Sequence, residues 1–134
     1  MLPMHKTQVR TVLIVDRELG FVFWLGQALD RAGYEALPAK SCEDATALLN
    51  QLNVGIDLLI VGSSTAGARA FSVALRRSQR DLKVIVAVGD PEEPSTAFPG
   101  ADASMLKFSY LDETSKVEWL ETIEAVLGQD CARN

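Results

Sequence analysis

The sequence predicts an α/β domain: a five-stranded parallel sheet with helices on both faces. Three observations carry that reading. Short apolar runs alternate strictly with helical stretches, the runs are apolar at every position, and Gly or Pro punctuates most boundaries. A strand buried on both faces needs no alternation of apolar and polar residues, and right-handed crossovers leave few topologies, of which the order 2-1-3-4-5 is expected.

Thr11-Val12-Leu13-Ile14-Val15 is β-branched and continuous, as suits a central strand. A helix follows from about Leu19 to Ala32 and is ended by Gly33. Tyr34 to Pro38 is a weaker second strand. Ser41, with Asp44 three residues on, makes a capping-box-like start for a helix through about Leu52, closed by Asn53-Val54-Gly55. The third strand is Asp57 to Val61, and a helix from about Ala66 to Arg80 separates it from the fourth, Val84 to Val88. Pro91 to Pro99 holds three prolines in nine residues, so the fourth helix is expected to be short, irregular or missing. Ala103 to Leu106 is the fifth strand. The last helix runs from about Thr114 to Leu127, with Leu120, Ile123 and Leu127 on one face. These elements make one expected domain, residues 9–128, with tails at 1–8 and 129–134.

Composition narrows the function classes. The 134 residues are 48% apolar and 23% charged, as in an ordinary globular domain. A net charge of -5 without a Lys/Arg cluster gives no electrostatic footprint for nucleic acid. Apolar runs such as Phe21 to Leu25 and Leu58 to Val61 fall far short of the roughly 20 residues of a membrane span. No secretory segment opens the chain, and Cys42 and Cys131 fit neither a metal spacing nor a disulfide framework, so a cytoplasmic setting is expected. His5 is the only histidine and neither cysteine has a base nearby in sequence, so nothing points to an enzyme.

In open parallel sheets, ligands collect at the carboxyl ends of the strands, which here gathers Asp16, Gly62, Val88 and Lys107. Leu13-Ile14-Val15-Asp16-Arg17-Glu18, Asp57-Leu58-Leu59-Ile60-Val61-Gly62 and Gly100-Ala101-Asp102 through Lys107 resemble, in order and spacing, a response-regulator receiver domain. The similarity spans about Val9 to Gly128. It implies a flavodoxin-like, three-layer sandwich. It also implies a site in which two acids after the first strand and an acceptor aspartate after the third hold Mg²⁺. A lysine after the fifth strand contacts the phosphoryl group, and a hydroxyl after the fourth responds to it.

Transferred position by position, the resemblance is incomplete. Asp16 matches the first acid and Lys107 the lysine, but Arg17 stands at the second acid and Gly62 at the acceptor. The hydroxyl position is Val88, the aromatic switch position is Ser104, and Phe108 replaces the proline that follows the lysine. Without an acceptor carboxylate no acyl phosphate can form at Gly62. Mg²⁺ needs near-octahedral oxygen ligation, and Asp16 and Glu18 alone offer carboxylates beside Arg17, so a metal-free site in which Lys107 or Arg17 pairs with Asp16 is expected. No cofactor is expected.

The expected function is that of a phosphorylation-independent pseudo-receiver in bacterial-type signal transduction, acting by protein–protein contact. The partner would be a histidine kinase, a phosphotransfer protein, an output domain or a second copy. Val22 and Phe23 on the first helix and Trp119 on the last are the candidate interaction surface, since Phe21-Val22-Phe23-Trp24-Leu25 holds more apolar residues than one helix face can bury. An alternative reading is a small-ligand or nucleotide-binding flavodoxin-like module. There Gly62, Ser63, Ser64 and Thr65, leading through Gly67 into a helix, would cradle an anion with backbone N–H groups.

Overall fold

Five parallel strands form one sheet in the order β2-β1-β3-β4-β5: β1 is Thr11–Val15, β2 Glu35–Ala39, β3 Leu58–Gly62, β4 Lys83–Val88 and β5 Ala103–Leu106. The computed structural model describes residues 9–89, 100–106 and 113–132, with side chains on the last helix through 128. Among these residues three helices connect strands, α1 Leu19–Arg31, α2 Cys42–Leu52 and α3 Ala68–Ser78, and a fourth, α4 Glu113–Ala132, follows β5. The Pro91–Pro99 segment, where a short or irregular helix is expected, lies outside the described residues.

Local chemistry accounts for the element ends. Ser41 caps α2 by accepting a hydrogen bond from the Asp44 N–H at 3.0 Å. Asn53, at φ 54°, closes the same helix in the left-handed region. Gly33 follows α1 at φ 95°. The helix expected from Ala66 begins at Ala68 instead, because successive turns end on Gly67 at φ 74°, a conformation no helix residue adopts.

Two apolar layers sandwich the sheet. On one face Leu13, Val15, Leu59, Val61, Val84 and Val86 pack beneath α2 and α3. On the other, Val12, Ile14, Leu58, Ile60 and Ile85 meet Phe21, Leu25, Trp119 and Ile123 of α1 and α4. This alternation along each strand is why the central strands read as unbroken apolar runs.

The sequence reading of two surface residues is corrected here. Val22 is fully buried rather than turned outward. α1 lies close over the edge strand, where a Cβ at Gly26 would sit 3.9 Å from that of Ala36, and this approach widens the buried stripe to Phe21, Val22, Leu25, Ala28 and Leu29. Trp119 is also fully buried, its ring 5.4 Å from that of Phe21 at 59°. The buried row of α4 is Trp119, Ile123, Val126 and Leu127, with Leu120 packed at its side. A stripe centred one residue earlier than expected carries the indole inward.

A polar clamp fixes the start of β5. Arg76 of α3 donates to the Gly100 carbonyl and to Asp102 Oδ2, both at 2.7 Å. Asp102 Oδ2 also accepts from the Val84 N–H at 2.8 Å. One guanidinium thus ties α3, the approach to β5 and the head of β4 together.

Candidate functional site

Strand register brings the carboxyl rim together. Val15 pairs with Val61 and Gly62 with Ala87, so Asp16, Gly62 and Val88 stand side by side at the ends of β1, β3 and β4. The expected fourth member, Lys107, and its neighbour Phe108 lie outside the described residues, although Leu106 ends β5 opposite Val88.

The centre of this rim is filled by protein. Asp16 is 1% exposed, and its Oδ1 accepts a hydrogen bond from the Glu18 N–H at 2.9 Å. A Cβ built on Gly62 would collide with the Asp16 carboxylate, standing 2.8 Å from its Cγ, and would lie 2.9 Å from Thr65 Oγ1. Separations under 3.0 Å are essentially never found for real Cβ atoms, so a side chain here would force these two buried neighbours to shift. Gly62 has no positive φ, so it is space rather than backbone conformation that demands glycine here. The Asp16 carboxylate occupies the room that a side chain at residue 62 would need.

Thr65 is the residue whose place the sequence concealed. The alternative reading places it in an open anion loop; it is instead buried, and its Oγ1 has no hydrogen-bond partner among the described residues. The signal available in the sequence was its position three residues after Gly62, the spacing of a tight turn that folds a side chain back over the strand end. The Thr65 N–H donates to the Gly62 carbonyl at 3.1 Å, and the Ser63 N–H to the Ala87 carbonyl at 2.9 Å. Two amides that a phosphate cradle would present are therefore already engaged.

Around this centre the other expected residues separate. Arg17 and Glu18 are exposed, with Glu18 at the N-cap of α1 making no side-chain cap bond. Val88 is buried in the apolar layer beneath α2 and α3, so no hydroxyl stands at that strand end. Ser104 is exposed on β5, paired with Val86. Among the described residues no group of three or more His, Cys, Asp or Glu could hold a metal ion. One buried carboxylate beside a cationic Arg17 does not fit the oxygen-rich, multiply acidic donor set that Mg²⁺ requires. Cys42 carries no nucleophilic signal, since burial pushes its thiol pKa above the ordinary value.

Comparison with solved structures agrees with this architecture. A CheY-like response regulator receiver domain protein from Methanospirillum hungatei superposes with a TM-score of 0.78 at 20% identity, covering 95% of this chain and 100% of the other. A response regulator from Thermotoga maritima gives 0.72 at 23% identity, over 90% of this chain and 99% of that one. For a chemotaxis response regulator of Vibrio cholerae the TM-score is 0.67 at 19% identity, over 87% and 99%. No protein-family model matches the sequence, and no curated protein matches it. What the chain shares with these structures is their fold, the five-stranded parallel sheet in the order 2-1-3-4-5 of CheY-like domains.

Proposed function

We propose that this chain is a receiver-fold signalling module that works by protein contact and without phosphorylation, in a two-component type of pathway. The observation that carries the reading is the filled acceptor position, where the Asp16 carboxylate and the Thr65 hydroxyl occupy the volume of a side chain at residue 62. Acyl-phosphate formation needs a carboxylate there, and glycine supplies none. Restoring one would require Asp16 to leave a site in which the Glu18 N–H holds it. In this proposal a cation, Lys107 or Arg17, neutralises Asp16 in place of a metal, the chain performs no chemistry of its own, and it resides in the cytoplasm. No described helix is long and apolar enough to cross a membrane. Kinases, phosphotransfer proteins and output domains are the partner classes the fold suggests.

Incubation with acetyl phosphate and Mg²⁺, followed by intact-mass measurement, tests the reading. The expected spectrum has no phosphoryl adduct. An adduct mapped to Asp16, Ser63 or Thr65 would overturn it. Calorimetric titration with Mg²⁺ is expected to give no sub-millimolar binding.

A further inference from the structure

We infer that the groove between α1 and β2 is a docking site for a cationic, amphipathic helix of a partner protein. The inference rests on the contact-based reading above and names the surface and the chemistry it would use. The groove has a volume of about 420 Å³, floored by Gly26, Ala36 and Pro38 and walled by Phe23, Asp30 and Glu35. Phe23 stands at its mouth with 58% of its surface exposed, the most exposed aromatic ring among the described residues. An apolar ring left in water beside an apolar floor is the pattern of a binding face rather than of a solvated helix.

Charge selects the partner. Asp30 and Glu35 are the charged residues that line the groove, both are carboxylates, and both are exposed. Among the described residues neither has an ion-pair partner; the salt bridges join Lys40 to Asp44, Arg76 to Asp102 and Lys116 to Glu113. The chain as a whole carries -5. A second copy of this chain would bring the same two carboxylates against them, an unfavourable like-charge contact. A partner with Lys or Arg flanking an apolar ridge would neutralise them at the rim and cover Phe23.

The edge strand selects the partner's conformation. β2 is an edge of the sheet, the usual place for a peptide to add as a further strand. The Glu35 N–H donates inward to the Arg10 carbonyl, and the Ala39 carbonyl accepts inward from the Asp16 N–H. Residues 35, 37 and 39 therefore bond to β1, which leaves 36 and 38 facing the open side. Pro38 has no N–H to offer there, so the outward ladder is broken at its centre. A helix needs no such ladder. From Phe23 to Asp30 the wall of α1 runs about 10 Å, two turns, which matches anchors at i, i+3 or i+4 and i+7 on a docked helix.

The test uses a synthetic amphipathic helix of about 16 residues, leucine on one face and arginine on the other, against the same peptide with glutamate in place of arginine. Binding is read by fluorescence anisotropy at low and high salt, and the site by amide chemical-shift changes on the labelled full chain. The expected result is salt-sensitive binding of the arginine peptide alone, with shifts centred on Gly26, Ala36 and Gln27. Phe23→Ser should weaken it roughly tenfold, and the Asp30→Asn, Glu35→Gln double variant severalfold, while Val73→Ser on α3 leaves it unchanged. Equal binding of the glutamate peptide, shifts centred elsewhere, or no loss in Phe23→Ser would overturn the inference. Sedimentation showing a dimer that Phe23→Ser dissolves would overturn it in favour of a second copy. None of these outcomes bears on phosphoryl transfer, which the intact-mass measurement reads separately.

Discussion

At the carboxyl rim the Asp16 carboxylate is sealed in, hydrogen-bonded by a backbone N–H and pressed against a glycine. Asp30, near the end of the helix that follows it, and Glu35, at the start of β2, stand in solvent around an exposed phenylalanine and an open groove. Open parallel sheets place small-molecule chemistry at the first location, yet here the side chains fill it, while they leave an open groove at the second. Buried polar groups in tight contact specify a single arrangement and admit nothing further. Exposed carboxylates around an apolar floor hold water that a partner can displace.

The strongest way to probe that contrast is at the wall both regions share. α1 is anchored from within by Phe21 on Trp119, so Trp119→Ala should cost about 3–5 kcal/mol in urea unfolding, as cavity-forming aromatic deletions do. If Trp119 belonged to an exposed interface the cost would stay within about 0.5 kcal/mol. Trp119→Phe should be far milder, within about 1.5 kcal/mol, because it also removes an indole Nε1–H that is buried without a partner.

At the rim, Gly62→Ala should destabilise by about 1–3 kcal/mol through overpacking against Asp16 and Thr65. In an Asp16→Ala background the same change should cost clearly less, and that double-mutant cycle measures the contact directly. A neutral Gly62→Ala would mean that Asp16 yields easily and that the acceptor position is not closed. Loss of the β5 clamp is the next smaller effect. Asp102→Ala leaves the Val84 N–H and the Arg76 guanidinium without their acceptor, for about 1–2 kcal/mol, reduced because Arg76 is about one third exposed. The smallest expected change lies at the groove, where Phe23→Ser should alter unfolding by no more than about 0.5 kcal/mol. A residue that costs nothing to lose for folding but weakens docking marks a surface kept for contact.

The sequence was most legible where local chemistry and the global fold agree. Five apolar runs became the five strands, and Ser41, Gly33 and Asn53 ended helices as their side chains and backbone freedom predict. Reading failed where several assignments had equal local support. Val22 and Phe23 are adjacent apolar residues on one helix, and only the closeness of α1 to β2 decides that the first is buried and the second exposed. Trp119 and Leu120 pose the same choice on α4, settled by where the Phe21 ring sits. Thr65 looked like a loop hydroxyl because its spacing from Gly62 fits an open loop as well as it fits the tight turn that carries it inward.

By itself the sequence determined the order of elements, the doubly covered parallel sheet and the absence of a carboxylate at residue 62, because continuous apolar runs, caps and residue identity are local facts. Tertiary structure alone decided that the missing side chain left no cavity. Whether a gap stays open depends on which neighbour can reach into it, and here register sets Asp16 level with Gly62 while a turn brings Thr65 over both. It also decided that a groove lies between α1 and β2, where a glycine and a carboxylate on a helix face a proline and a carboxylate on an edge strand.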